Sequence, residues 1–291
     1  MFYTNEQVNA RIDPDYYYRI PLLGAICGDI IGRPFESYHP DAIVPKNFKL
    51  ITEESTFSDD TVVSLAIAKW LTEGTFNINN LISNIQSLCK KYPKRGYGER
   101  FWSWVNEEYP HPYQSYGNGA IMRLSAIAPL LDNSRTWDIL PKIITNITHD
   151  SNEAIEFALI YTRILSASFC CNLNISGSAL DFAKDILSKH NCSIKTPDQI
   201  IKDGYKRELR CSKSVPEAMC CYIYSNSFEE TIRNAVLLRG DTDTQACIAG
   251  SLAAARWGVP KGIAKMCLSK LPDDLYEIYE QYCKHFYLIY E

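Results

Sequence analysis

Two acidic clusters, each at the start of an apolar helical segment, are the residues best suited to do chemistry. They are Ser58–Asp59–Asp60–Thr61 and Asp241–Thr242–Asp243–Thr244. Either cluster alone could simply cap a helix, because Ser and Asp accept hydrogen bonds from the free N–H groups of a first turn. Together they offer four carboxylates beside two segments apolar enough to be central. Partly buried carboxylates need compensation, and hard cations such as Mg²⁺ or Mn²⁺ prefer these oxygen ligands, whereas zinc does not. Four carboxylates could hold two ions.

Three other polar elements could line a cleft beside these carboxylates. Gly28–Asp29 and Glu36 lie in GAICGDIIGRPFES, and Gly117–Asn118–Gly119 precedes an apolar segment. Asn-Gly is typical of a turn, but glycines also let a backbone approach a ligand, and free N–H groups at a helix start favour phosphate. His149, before another long helical segment, could be a cap or a satisfied surface residue. If it faces the cleft, it is a donor to phosphate or hydroxyl groups.

Helical periodicity dominates the elements that must position these residues. In 60–73 the apolar side chains recur at one helix face and Gly74 follows as a stop, while 151–170 and 243–257 show longer apolar patterns. Further helices are predicted near 22–32, 79–91, 120–131, 137–147, 178–190, 216–224, 228–237, 260–269 and 273–287. Residues 44–51 are predicted to be a short extended piece, and the polar, basic segment 190–215 a solvated loop or helix face. We expect one all-α domain at 21–291 with an N-terminal extension at 1–20.

The bulk composition narrows the class of protein and its partners. The 291 residues are 46% hydrophobic and 22% charged, a globular balance, and the net charge of −4 predicts no general attraction to nucleic acid or anionic membranes. Eleven cysteines without a C-x-x-C motif favour buried free thiols over disulfides or zinc. With neither a signal-peptide pattern nor an apolar run of about 18 residues, a cytoplasmic location is expected. Export by a signal-independent route would leave no trace in the sequence.

The order of the motifs resembles that of the ADP-ribosylglycohydrolase family, which includes the dinitrogenase reductase-activating glycohydrolases. The family's opening G-x-x-x-G-D-x-x-G-x-x-x-E is matched by Gly24, Gly28–Asp29, Gly32 and Glu36. The later T-D-D-T, G-N-G-x-x-M-R, T-H and G-G-D-T-D-T motifs are matched at 58–61, 117–123, 148–149 and 240–244. Five matches in one order, from residue 24 to about 260, are far more specific than any single motif.

The resemblance implies a compact multi-helix, all-α fold with two Mg²⁺ ions in a cleft, for which Mn²⁺ could substitute. The implied metal ligands are Ser58, Asp59, Asp60, Asp241, Asp243 and Thr244, and the implied substrate-binding residues are Gly117, Asn118, Gly119 and His149. Glu36, Asp59 and Asp60 are the catalytic candidates, as a general base or to orient water. The implied reaction is hydrolysis at the anomeric carbon of ADP-ribose on a protein side chain, with ADP-ribose as product. We favour an arginine linkage, with serine, acetyl-ester and nucleobase linkages as alternatives.

Two departures from the family pattern leave other functions open. Ser58 replaces the usual threonine but keeps the hydroxyl, whereas Arg239 replaces the first glycine of G-G-D-T-D-T. A bulky cation at that position could crowd the cleft or hold a phosphate. The chain could therefore be a catalytically inactive ADP-ribose-binding module. Considered without the resemblance, the same residues also suit a metal-dependent phosphohydrolase, which would release phosphate or pyrophosphate instead of ADP-ribose.

Overall fold

The computed structural model describes residues 12–13, 17–36, 44–131, 136–169 and 178–287. The α-helices are α1 (Pro21–Glu36), α2 (Asp59–Glu73), α3 (Ile78–Lys91), α4 (Glu99–Asn106), α5 (Thr136–Asn146), α6 (Asn152–Phe169), α7 (Ala179–Lys189), α8 (Pro197–Lys202), α9 (Cys211–Ile223), α10 (Phe228–Leu238), α11 (Thr242–Trp257), α12 (Lys261–Leu268) and α13 (Asp273–Tyr287). Two 3₁₀ helices span Asn118–Ala120 and Met122–Leu130. The predicted all-α class is confirmed. Within the described ranges, none of the helices is long and apolar enough to cross a membrane.

A small antiparallel sheet is the one departure from helix among the described elements. Its two-residue strands are β1 (Ile12–Asp13), β2 (Tyr17–Tyr18) and β3 (Val259–Pro260), in the order β1-β2-β3. Most of the predicted extension 1–20 lies outside the described residues, as do Cys170 and Cys171. The division into an extension and a domain at 21–291 therefore stays a prediction. The cysteines that are described are free, and all but Cys192 are buried.

Helices α1 and α11 pack backbone against backbone at the centre of the fold. A Cβ atom on Gly28 would lie 2.0 Å from the carbonyl oxygen of Ala246, and one on Gly32 would lie 2.3 Å from that of Thr242. Gly24 meets Gly250 in the same way, so the two helices run antiparallel, with glycines every fourth residue along α1. Because α1 ends where α11 begins, the carboxylates at these two helix termini are brought together.

The start of α2 is tied to α1 through Asp29. The Ser58 side chain caps α2 by accepting from the Asp60 N–H at 3.2 Å, and Gly74 ends the helix in the left-handed conformation at φ 68°. The buried Asp29 carboxylate accepts from the backbone N–H groups of Ser58 at 2.9 Å and Thr61 at 3.1 Å. The first acidic cluster is therefore held beside the helix pair that carries the second.

Besides the small sheet, the predicted elements and the observed ones differ in three places. Residues 120–131 form 3₁₀ rather than α-helix, in a segment that is buried almost all round. Residues 44–51 contain a turn, with Phe48 N donating to Pro45 O at 3.0 Å, and no strand. Helix α4 was not predicted, since its eight residues are too short to show periodicity. The segment 190–215, predicted to be a solvated loop or helix face, contains the short helix α8 and the first residues of α9.

Candidate active site

The structure brings the two acidic clusters together although they are far apart in the sequence. The Thr244 hydroxyl donates to Asp60 Oδ2 at 3.2 Å, across 184 positions of the chain. Carboxylate oxygens of Asp29, Asp60 and Asp243 lie within 4.8 Å of one another; we call these residues the inner triad. Oxygens of Glu36, Asp241 and Asp243 lie equally close and form the outer triad, so Asp243 belongs to both.

Burial makes this carboxylate cluster costly for the protein. It raises the pKa of Asp29 above its ordinary value, and it raises the pKa of Asp60 well above it, with the Asp243 carboxylate adding to the shift. The pKa of Asp243 is raised well above its ordinary value by burial and by Asp241, whose own pKa burial raises to about 6. Each shift means that negative charge is undercompensated there, which is the condition that a bound divalent cation relieves.

One oxygen in the inner triad lacks a partner. Asp60 is 1% exposed, and its Oδ2 accepts from Ser58 Oγ at 3.0 Å as well as from Thr244. Its Oδ1 is buried and has no hydrogen-bond partner among the described residues. Buried carboxylate oxygens are normally satisfied, so this atom needs an explanation. The all-oxygen donor set and the open oxygen fit a hard divalent cation, and the residues present could hold one.

Asp59 occupies a different position from Asp60. It lies outside both triads and lines the cleft, where a Cβ atom on Gly96 would be 3.0 Å from its Oδ1. Burial, reinforced by the charge of Asp29, raises the pKa of Asp59 to about 7. Of the two adjacent aspartates, Asp59 therefore faces the space where a substrate would lie, and Asp60 faces the inner triad.

Two arginines form ion pairs with the outer triad. Arg33 Nη1 donates to Asp243 Oδ2 at 2.8 Å and also pairs with Glu36. Arg207 Nη2 donates to Glu36 Oε1 at 2.8 Å and lies 3.8 Å from Asp241 Oδ1. The sequence analysis missed both as site residues. Arg33 lies inside the opening motif, but Arg207 belongs to the segment 190–215, where a local sequence signal could not mark it.

The Gly117–Asn118–Gly119 loop contacts the second acidic cluster directly. Asn118 Nδ2 donates to Asp241 Oδ2 at 2.6 Å and to Ser214 Oγ at 3.0 Å. The Asn118 backbone N–H donates to Leu209 O at 2.7 Å, so the loop also holds the segment that carries Arg207. Asn118 therefore orients a candidate metal ligand, a role that the sequence analysis had not assigned to it.

His149 faces the glycines of this loop as a neutral imidazole. A Cβ atom on Gly117 or Gly119 would lie 3.6 or 3.8 Å from its Nε2, and its Nδ1 lies 2.7 Å from Thr148 Oγ1. Burial, with the nearby charges of Arg123 and others, lowers the pKa of His149 well below 6.5. An uncharged ring that is only 4% exposed suits hydrogen bonding to a ligand and not charge pairing.

A cleft of about 400 Å³ connects the outer triad, Asp59, the Gly117–Asn118–Gly119 loop and His149, whereas Ser58, Asp29 and Asp60 are not among its lining residues. It is lined by Glu36, Asp59, Gly117, Asn118, Gly119, His149, Asp241, Asp243 and Thr244 among the predicted site residues, and by Arg33, Gly96, Gly98, Glu99, Arg100, Phe101, Tyr113, Ser115, Met122, Arg123, Arg207 and Leu209 besides. Four arginines line the cleft together with five carboxylates, and Arg100 and Arg123 are the two of them that do not pair with the outer triad. The sequence analysis missed the 96–101 wall, for which the glycines of R-G-Y-G were the available signal.

Arg239, the main departure from the family pattern, is not among the described residues that line this cleft. It ends α10 with φ 67° and ψ −175°, a conformation that non-glycine residues rarely adopt, and Gly240 follows at φ 84°. A Cβ atom on Gly240 would lie 2.6 Å from the Cα of Arg207. The substitution therefore affects the backbone at this turn, whereas Gly240 makes room for the segment that carries Arg207.

A buried carboxylate cluster on a helical scaffold, beside a glycine-lined cleft, is suited to a divalent metal ion. The family model described as ADP-ribosylglycohydrolase matches residues 17–290. The chain belongs to this family, as its motifs predict. Membership supports the hydrolysis of ADP-ribosylated substrates, with ADP-ribose as product.

Relatives and solved structures agree with this assignment. The ADP-ribosylhydrolase ARH3 of Xenopus tropicalis is 27% identical, over 83% of this chain and 87% of its own. The ADP-ribosylarginine hydrolase Tri1 of Pseudomonas putida is 24% identical, over 88% of this chain and 76% of its own. A solved structure described as an ADP-ribosylglycohydrolase-related protein complex has the same fold, with a TM-score of 0.71 and 19% identity over 97% of this chain and 99% of that chain.

Proposed function

We propose that the chain is a Mg²⁺-dependent hydrolase that releases ADP-ribose from modified protein side chains. The observation that carries this proposal is the pair of carboxylate triads that share the buried Asp243, one with an open oxygen on Asp60 and the other lining the cleft. An apolar or merely structural helix junction would not retain so many buried carboxylates, because each is a stability cost. Family membership supports the hydrolysis, and the donor chemistry supports the metal.

The acidic residues divide by position into ligands and groups that face the substrate. Asp60, Asp241, Asp243 and Thr244, together with Ser58 and Asp59, are the proposed ligands of up to two Mg²⁺ ions, with Mn²⁺ as a substitute. When bound, such an ion would supply Lewis-acid polarisation and hold the ribose hydroxyls in place. Glu36 and Asp59 line the cleft, so we assign them the general-base or water-orienting role. Asp60 is better suited as a ligand than as a base, since it is buried.

The loop and the imidazole are suited to hold the rest of ADP-ribose. Gly117 and Gly119 carry no side chain that would separate their backbone from a diphosphate. His149, held beside them as a neutral ring, can donate or accept one hydrogen bond with its Nε2. Arg100 and Arg123, the cleft arginines that do not pair with the outer triad, would compensate part of the diphosphate charge. Together these contacts would fix the ribose relative to Glu36 and Asp59, which is where positioning contributes most to the rate.

Arginine is the proposed side chain from which ADP-ribose is released. A relative that is 24% identical is an ADP-ribosylarginine hydrolase. In addition, Glu36, Asp59 and Glu99 place carboxylates at the cleft wall, and these favour a cationic guanidinium group nearby. A guanidine also departs more easily than an alkoxide, so it places a smaller demand on acid catalysis.

A release assay on defined linkages tests the proposal. Proteins or peptides carrying ADP-ribose on arginine or serine, and O-acetyl-ADP-ribose, are incubated with the enzyme and Mg²⁺, and free ADP-ribose is quantified. We expect fastest release from arginine, loss of release with EDTA and recovery with Mg²⁺ or Mn²⁺. Faster release from serine would show that arginine is not the preferred linkage, but the chain would still be a hydrolase. Phosphate products would indicate a phosphohydrolase, and binding without release an inactive ADP-ribose-binding module.

A further inference from the structure

The two carboxylate triads differ in how their charge is compensated. In the inner triad, Asp60 Oδ1 is buried and has no hydrogen-bond partner among the described residues, so no cationic side chain pairs with this oxygen. In the outer triad, Arg33 and Arg207 contact all three carboxylates. The inner triad therefore has an open ligand atom and meets an arginine only where Arg33 contacts the shared Asp243, whereas all three carboxylates of the outer triad pair with Arg33 or Arg207.

The charges of the outer triad leave little room for a further cation. Glu36, Asp241 and Asp243 carry three negative charges when ionised, and the two guanidinium groups carry two positive charges. Arg33 uses Asp243 Oδ2 at 2.8 Å, and Arg207 uses Glu36 Oε1 at 2.8 Å. A divalent ion on the same oxygens would lie within a few ångströms of both guanidinium groups, and like charges at such distances repel strongly. An ion can enter the outer triad only if these side chains leave.

We propose that Arg33 and Arg207 are built-in counter-cations of the outer triad, so that the two metal positions load unequally. One divalent ion binds tightly at Asp60 and Asp243 of the inner triad, and a second binds at Asp241 and Asp243 of the outer triad only by displacing the arginines. Displacement is feasible, since the side chains of Arg33 and Arg207 are 26% and 52% exposed and can turn towards the cleft. This inference rests on the metal dependence of the proposed function. It adds the order in which the two ions bind, and it identifies Arg33 and Arg207 as the groups that compete with the second ion.

Metal binding without substrate tests this order. Mn²⁺ is titrated into the metal-free full-length chain by calorimetry, and bound ions per chain are counted by metal analysis after dialysis. We expect one tight Mn²⁺ and a second that binds at least tenfold more weakly. In Arg33→Met and in Arg207→Met, we expect the second affinity to rise at least tenfold. The matched control is Arg163→Met, which removes an equal charge from a surface pair with Asp138 at 3.1 Å and should change neither affinity.

The possible results separate this inference from the proposed function. Two ions of equal affinity in the unmodified chain, or an unchanged second affinity in both variants, would overturn the role of the arginines and leave metal-dependent hydrolysis standing. If Mn²⁺ does not bind to the unmodified chain at all, both the unequal loading and the metal dependence of the proposed function are refuted. Should Arg33→Met not fold, Arg207→Met carries the test, because its side chain is half exposed. As a second readout, Mg²⁺ should raise the Tm of either variant more than that of the unmodified chain.

Discussion

Substituting alanine for Gly28 adds one methyl group at the closest approach of α1 and α11. The added Cβ would lie 2.0 Å from the carbonyl oxygen of Ala246 and 2.4 Å from its carbonyl carbon, whereas ordinary contact begins at 3.4 Å. Both obstacles are backbone atoms of a buried helix, so a side-chain rotation cannot relieve the overlap. In a close-packed interior the two helices must instead separate locally by about 1 Å.

This separation should affect the active site as well as the fold. Glu36 lies on the same face of α1 as Gly28 and Gly32, two turns and one turn further along, and Asp243 lies in the first turn of α11. Moving the helices apart therefore widens the outer triad. Overpacking of this kind costs about 3 kcal/mol of unfolding free energy. A misplacement of about 1 Å costs roughly a hundredfold in turnover.

Two measurements on Gly28→Ala check these values. The free energy of unfolding is obtained from a denaturant titration, and turnover from release of free ADP-ribose. The matched control is Gly262→Ala in α12, where an added Cβ meets nothing within 4 Å. It should leave turnover unchanged and stabilise the chain by up to about 1 kcal/mol, because alanine is the better helix former. If Gly28→Ala retained normal stability and turnover, backbone contact between α1 and α11 could not be what positions the carboxylates.

Three further predictions follow from the geometry. Asp60→Asn should lower turnover at least a hundredfold and weaken Mn²⁺ binding in calorimetry. The metal-free variant should be at least as stable as the unmodified chain, because the substitution removes an undercompensated buried charge. Near-normal turnover would exclude Asp60 as a ligand. Because burial raises the pKa of Asp59 to about 7 and that of Asp241 to about 6, the metal-free folded state binds more protons than the unfolded chain, and stability should fall as pH rises from about 4 to about 7. Its Tm should be higher at pH 5.5 than at pH 7.5, and saturating Mg²⁺ should reduce the difference; a Tm that rises over this range would contradict it. Arg239→Gly should raise the unfolding free energy by about 1 kcal/mol relative to Arg239→Ala, because only glycine adopts this backbone conformation without strain; equal stability of the two variants would argue against strain there.

The helices that carry the acidic clusters could be predicted because their signals are local. Ser58 provides a cap, Gly74 a left-handed stop, and the apolar periodicity between them fits one helix. The prediction of an α-helix over 120–131 was wrong, because an apolar pattern does not distinguish an α-helix from the 3₁₀ helix that the segment forms. Helix α4 left too short a pattern to detect. Local chemistry thus explains both the successes and the errors at the level of elements.

The candidate site was only partly predictable, because some of its groups act through tertiary geometry. The ordered motifs indicate the carboxylates, the G-N-G loop and His149, and the structure places all of these except Asp60 around one cleft. Asp29 was quoted as part of a motif but not as a member of the carboxylate cluster, since its contact with Asp60 depends on how α2 meets α1. Arg207 reaches Glu36 across 171 positions, from a segment held by the pairing of Gly117 with Arg210. A composition-based interpretation of that segment could not foresee this contact.

The close α1–α11 contact creates an electrostatic cost at the site, and Arg33 and Arg207 reduce that cost. Glycines bring the two helices near enough for carboxylates from both to share a site, and the same proximity concentrates negative charge where water is scarce. The closer the carboxylates lie for binding an ion, the more their mutual repulsion destabilises the metal-free chain. Arg33 and Arg207 relieve that cost at the outer triad, and their displacement lowers the net affinity for a second ion by the same interaction free energy. Asp60 Oδ1 has no hydrogen-bond partner among the described residues, so an ion can bind to it without displacing a side chain. The inner triad should therefore set the tightest metal affinity of the chain.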